Sequence, residues 1–354
     1  GLGSRKVEIQ ASVNTAYLTG NYMEQGMNYE INPLLAAYRR TPLLSPYRSD
    51  IYGKLISTYS TYQYGALDNE DMYVSNPLAI VNQVTAKQKQ YDLNAKLQLV
   101  YTPSQNLTFN ALVGLYYNYN QEEMFVPGVD EGAAIKYTSD RYGIANNMVR
   151  SGTNYTVNWF YGLNGIFHKN FADKHDFKAQ VGAQVLMSSY EYDAAFGRNT
   201  QNDHMTNMGS ASTSDKRYFS GYNNDWRWVD IYAQADYTYN NLLRLGVTAA
   251  YDGASSVCGK LGDMRVYPGF DAVVMLKNSS LLRRVDWVNK LNLYTNYSLT
   301  GISRFGTKNF SSYYTSTPFL DIAGIVRASL GTTDHLKAEK TGTWNIGLDA
   351  ALLN

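Results

Sequence analysis

Four histidines and one cysteine are the readily titrated ligands that the 354 residues supply. Cys258 alone closes no internal disulfide and builds no thiolate cage. In the expected extracellular loops two histidines stand beside carboxylates, His204 next to Asp203 and His335 next to Asp334, a pairing that a barrel hydrolase would need above its strands. No serine or cysteine nucleophile stands in a motif that completes such a site, so no catalytic residue is assigned. Asp68, Asn69, Glu70 and Asp71 crowd oxygen donors together, but their spacing is not that of an EF-hand loop, and a solvated loop accounts for them. No metal or cofactor is expected. The 28 glycines are spread through the chain, not gathered into a phosphate-binding loop. What remains is aromatic. Tyr190, Tyr192, Tyr222, Trp226 and Trp228, with Asn223 and Asn224, flank a long polar stretch where flat rings beside amides suit stacking on sugars or peptides. The competing reading makes the same rings part of an interfacial girdle.

Bulk composition narrows the setting. Lys plus Arg total 31 and Asp plus Glu 30, a net charge of +1, which favours neither nucleic acid nor a polybasic membrane contact. Tyrosine is abundant at 32 residues, while charged residues make up only 17%, against roughly 25% in an ordinary soluble domain. No run approaches the roughly 18 apolar residues of a membrane helix, which excludes a helical membrane protein but not a barrel, whose strands are half apolar. The first residue is Gly1, with no basic-then-apolar leader behind it.

The elements that must position these side chains show period-two alternation. Ten runs carry it, within 7–17, 91–101, 107–119, 155–167, 177–187, 229–239, 243–251, 270–276, 291–299 and 344–352. The eighth is weakest, because Val273 and Met275 interrupt its polar side. The apolar sides carry no Asp, Glu, Lys or Arg. The links alternate in length, short at 102–106, 170–175 and 240–241 and long at 18–90, 120–153, 193–226 and 300–342. An antiparallel membrane barrel has this rhythm, with short periplasmic turns and long extracellular loops, and a sandwich has no reason to keep it. Seven of the eight prolines fall in expected loops or turns, and Pro268 marks the entry to the eighth run. Tyr17, Tyr91, Tyr101, Tyr117, Tyr119, Tyr155, Tyr237, Tyr239, Tyr251 and Trp344 sit near the ends of apolar sides, as headgroup girdles do.

Particular segments carry a family resemblance. Asn76-Pro77-Leu78-Ala79, the stretch Thr102 to Phe109 with Gly114, Tyr237-Thr238-Tyr239, Gly253 to Ser256, Tyr267-Pro268, Asp286 to Leu291, Tyr297 to Gly301 and Glu339-Lys340-Thr341 through Asn345 to Asp349 resemble the SusC/RagA-type TonB-dependent transporters. The resemblance implies an all-β fold, an antiparallel transmembrane β-barrel of 22 strands, of which about ten lie in 1–354. It also implies a Gram-negative outer membrane, import of an oligosaccharide or peptide ligand, a SusD-like surface lipoprotein above the barrel, and TonB acting through an N-terminal plug segment that 1–354 lacks. Neither a plug sequence before Gly1 nor an aromatic at Asn354 is present, so the chain is expected to be a piece of a longer polypeptide. Ten open strands leave two edges of unpaired backbone in hydrocarbon, which further strands must cover.

Two other readings stand beside this one. A complete ten-stranded barrel protease or hydrolase would depend on His204 or His335. A soluble β-rich lectin or adhesin would stack its apolar faces on each other. The first long loop, with Asn32-Pro33-Leu34-Leu35 and Tyr38-Arg39-Arg40-Thr41-Pro42, is too long for a mere connection and is expected to pack into the barrel mouth or meet a partner.

Overall fold

Each alternating run folds as a strand, and the strands pair in chain order. The computed structural model describes residues 6–26, 28, 30–60, 74–128, 134–135, 137–139, 143–211, 217–255, 264–302, 314–319, 322–327 and 339–353. Ten strands form one antiparallel sheet: β1 (Val7–Asn21), β2 (Thr85–Ser104), β3 (Leu107–Val126), β4 (Met148–Phe171), β5 (His175–Arg198), β6 (Arg217–Tyr239), β7 (Leu243–Ala254), β8 (Arg265–Met275), β9 (Val288–Ile302) and β10 (Glu339–Leu352). Every strand pairs with its sequence neighbour, the connectivity of an up-and-down barrel wall.

The tight turns have local causes. Asn240 and Asn241 hold φ of 48° and 51°, and Leu242 N–H donates to Tyr239 O at 2.8 Å, the two left-handed residues that a twisted hairpin requires. Ala172 and Asp173 do the same between β4 and β5, with φ of 49° and 55°.

The two sides of the sheet differ as the alternation predicts. On the apolar side Ile9, Val13, Leu163, Val181 and Ile346 are each more than 60% exposed, and no described element packs across them. A lectin-like sandwich would have buried these residues, so that reading is excluded for this sheet. Aromatic rows bound the apolar band. Tyr17, Tyr91, Tyr119 and Tyr155 are successive register partners across β1 to β4, with ring centroids of Tyr17 and Tyr91 4.8 Å apart. Tyr101 and Phe109 pair at the other border, with centroids 6.3 Å apart. Tyr91 and Tyr101 lie ten positions apart on β2. At about 3.3 Å per residue and a tilt near 45°, that spacing spans about 23 Å, close to the height of an outer-membrane apolar band.

Strand ends depart from expectation on the long-loop side. Nearly half of the stretch 193–226 is ladder, since β5 continues to Arg198 and β6 begins at Arg217. The physical reason is that above the apolar band both sides are wet. Glu191, Asp193 and Asp225 stand on the outward side there, so hydrophobic periodicity fades while backbone pairing continues. Pro103 and Pro268 lie inside strands, and Pro318 lies in a hairpin strand, Tyr314–Phe319. Pro268 pairs with Ala249 on β7, while the register with β9 begins only at Gly269, so it sits where one ladder stops.

Most of the fully buried apolar residues gather where the first long loop meets the inner side of the sheet. The loop contains α1 (Pro33–Arg39), α2 (Pro77–Gln83) and a hairpin of Tyr47–Ser49 with Leu55–Tyr59. Both helices are started by an asparagine cap followed by proline, Asn32-Pro33 and Asn76-Pro77. Ile31, Ala36, Val74, Ala79 and Ile80 pack with Ala86, Met124, Val126 and Met148, whose side chains belong to the inner set of β2, β3 and β4. The loop thus folds inward over the wall, as the expectation of packing at the barrel mouth required. Asn76 is fully buried and fastens it: its Oδ1 accepts from Leu78 and Ala79 N–H, and its Nδ2 donates to Pro46 O at 2.7 Å. Arg40 donates to Val74 O at 3.1 Å and Ser60 Oγ at 2.6 Å.

Candidate functional site

Side-chain alternation decides which candidates share a surface. Counting along β5 and β6, Tyr190, Tyr192, Tyr222, Asn224, Trp226 and Trp228 fall on the inner side, with Asp230 and Gln184. Asn223 falls on the opposite side, level with Glu191, and leaves the group. The register pairs Tyr192 with Tyr222 and Asn224 with Tyr190. The Tyr222 ring lies 5.6 Å from Tyr190 and 5.7 Å from Tyr192, centroid to centroid, so one ring touches two on the next strand. Tyr222 is 59% exposed. Lower on the wall, Trp228 Nε1 donates to Asp252 Oδ2 at 2.9 Å, and Gln184 Nε2 donates to Asp230 Oδ2 at 2.9 Å.

Arg150 extends this surface onto β4. Its Nη2 donates to the Tyr192 hydroxyl at 3.4 Å, its Nη1 pairs with Glu24 Oε2 at 3.3 Å, and its guanidinium lies 5.6 Å from the Phe196 ring centroid. Phe196 in turn meets Tyr218 at 6.0 Å. Burial pushes the Tyr22 phenol up to about 12, with Glu122 adding to the rise and Arg150 opposing it. The residues that alternation missed, Arg150, Glu24, Phe196 and Tyr218, carried a usable signal. Arg150 has the same parity as Asn154, Thr156 and Asn158, and continuing the polar side of β4 upward would have found it.

The histidine pairs make no catalytic cluster among the described residues. Asp203 accepts from Gly128 N–H at 3.1 Å and from Asn147 Nδ2 at 3.0 Å, and so ties two connections together. His204 uses its backbone N–H to bond Asn202. Asp334, His335 and the acidic run Asp68 to Asp71 lie outside the described residues. Among the described residues no group of three or more His, Cys, Asp or Glu is placed to hold a metal ion.

The described residues thus share one side of the sheet: inward-facing rings, amides and one arginine, above a polar wall. Known proteins agree with the wall. No family profile matches the chain. It is 21% identical over 286 residues to the TonB-dependent receptor P39 of Formosa agariphila, which covers 78% of this chain and 26% of that protein. The RagAB peptide transporter superposes on 99% of this chain with a TM-score of 0.76 at 16% identity, and the match takes up 37% of that chain. The RagAB importer in its "open-open" state gives 0.75 over 98% of this chain. The chain thus spans 26% to 37% of the length of these proteins. Register and fold agree with the resemblance: the chain has the fold of part of the RagAB transporter and is similar in sequence to a TonB-dependent receptor.

Proposed function

We propose that this wall serves TonB-dependent import of an oligomeric nutrient, an oligosaccharide first, and that the inner rings of β5 and β6 read the ligand as it enters. The observation that carries the reading is the contact of Tyr222 with Tyr190 and Tyr192 on the same side as the polar wall, beneath the loop core. Ring faces bind the apolar faces of sugars, while Asn224 and Arg150 offer donors to hydroxyl or carbonyl oxygens. The chain does no covalent chemistry in this reading. The resemblance supplies the other parts, a SusD-like lipoprotein at the extracellular mouth and TonB acting through a plug. An oligopeptide is the second reading, supported by the peptide cargo in the names of the RagAB neighbours.

The test is growth and binding with the full-length protein. A deletion strain should lose growth on an oligosaccharide as sole carbon source, and growth should return with the wild-type gene but not when TonB coupling is disabled. Tyr222→Ala and Trp226→Ala should each weaken ligand binding by about 1 kcal/mol, roughly fivefold in Kd. Loss of growth on peptides alone would move the substrate to the second class, and unimpaired growth on both would overturn import.

A further inference from the structure

Two glycines on the inner wall are placed for space rather than for backbone freedom. Among the described glycines only Gly53 has a positive φ. Gly182 on β5 and Gly347 on β10 therefore have ordinary strand backbones, where glycine costs about 0.5 to 1 kcal/mol relative to alanine. Each faces a tyrosine directly across the ladder, Gly182 opposite Tyr232 and Gly347 opposite Tyr294. A β-carbon at 182 would stand 2.5 Å from Tyr232 Cζ, and one at 347 would stand 2.2 Å from Tyr294 Cζ. The rings lie where the missing side chains would be.

The Tyr232 ring is also tied down. Its hydroxyl accepts from Gln180 Nε2 at 3.0 Å on β5 and from Asn164 Nδ2 at 3.4 Å on β4. Asn164 in turn accepts from Asn110 Nδ2 at 2.7 Å on β3. One rung thus runs Asn110, Asn164, Gly182 and Tyr232 across four strands. Beside it opens a hollow of about 240 Å³, lined in part by Gln98, Asn110, Phe160, Asn164, Gln184 and Tyr232.

We propose that Gly182 and Tyr232 together set the clear width of the passage at this level, Gly182 by letting the ring lie flat and Tyr232 by being the bulk that would otherwise project. The inference rests on the import reading. It names a positioning pair whose effect grows with ligand size. A β-carbon at 182 would overlap the end of the ring, so the ring must give up its two hydrogen bonds and lift off the wall.

The experiment uses the full-length transporter in cells, with fluorescent maltooligosaccharides and oligopeptides of graded length as probes. Heat-modifiable migration on gels scores folding. Gly182→Ala should give a several-fold loss of uptake of the longest probes and little change for the shortest, and Gly182→Ala combined with Tyr232→Ala should restore long-probe uptake. In the purified protein, nitration of Tyr232 by tetranitromethane should rise several-fold in Gly182→Ala, a readout that needs no ligand. Wild-type uptake of every length by Gly182→Ala, or equal defects in the single and double variants, would overturn the proposal. If Gly182→Ala does not fold, Tyr232→Phe keeps the ring and removes its ties. Reduced long-probe uptake is then the expected result, and unchanged uptake overturns the proposal. Absent uptake of all probes by the wild type would instead remove the import reading, leaving Tyr232 nitration to decide the width proposal.

Discussion

Tyr22 and Asn76 show how single side chains hold the loop against the wall. The Tyr22 hydroxyl has no hydrogen-bond partner among the described residues, and burial pushes its phenol from the usual 10.0 to about 12. With the folded value above the unfolded one, this residue adds no pH dependence below pH 10. Between pH 10 and about 12 the unfolded chain releases the proton that the folded chain keeps, so stability falls as pH rises through that window. Tyr22→Phe should flatten the alkaline arm of a stability profile measured by urea unfolding at stepped pH. An unchanged arm would place the drop elsewhere. Asn76→Ala removes both a helix cap and the donor to Pro46 O. Its expected cost is about 2 to 3 kcal/mol, local to the loop. Limited proteolysis should then cut the loop faster while the strands keep their heat-modifiable migration. Equal cutting rates in wild type and variant would show that the loop is held by its apolar core alone.

At the scale of strands and helices, legibility followed the solvent. Where one side of a strand meets lipid and the other meets water, the sequence alternates, and all ten strands could be read, down to the Asn240-Asn241 turn. Above the band both sides are wet and the pattern lapses, which hid the upper parts of β5 and β6 and misplaced Asn223 among inward residues. The helices α1 and α2 were hidden for a different reason. Seven residues are too few to show a helical period, although Asn-Pro at both starts was a local signal for them. The inward-facing aromatic group was therefore half readable: aromatic identity was visible, but membership depended on parity, and Arg150 lay beyond the last alternating residue of its run. The same two-sidedness gives a quantitative expectation. Leu97 is 51% exposed in the middle of the apolar side of β2, and Asn94 is on the inner side. Leu97→Arg should destabilise the membrane-inserted protein by about 2 to 4 kcal/mol, and Asn94→Arg by less than about 1 kcal/mol. Urea titration of full-length protein refolded into lipid vesicles measures both. Equal costs would mean that the apolar side is not the lipid side.

For the molecule as a whole, the decisive quantity is the count of unpaired backbone groups. No recorded pairing among the described residues joins β1 to β10, so the outer edge of each is open. In hydrocarbon every unsatisfied N–H or C=O costs several kcal/mol, and two edges that each cross the membrane would outweigh the few kcal/mol by which proteins are stable. In a membrane the outer edges of β1 and β10 therefore need partners, either each other or further strands. Residues 1–354 expressed alone should give no heat-modifiable monomer in lipid vesicles, whereas the longer protein that adds strands beyond both edges should give one. A detergent-stable monomer from 1–354 alone, with amide exchange as slow in β1 and β10 as in β4 and β5, would show that the first strand pairs with the last. In that case the chain closes on itself, its interior is too narrow for an oligomeric ligand, and the import reading falls with it.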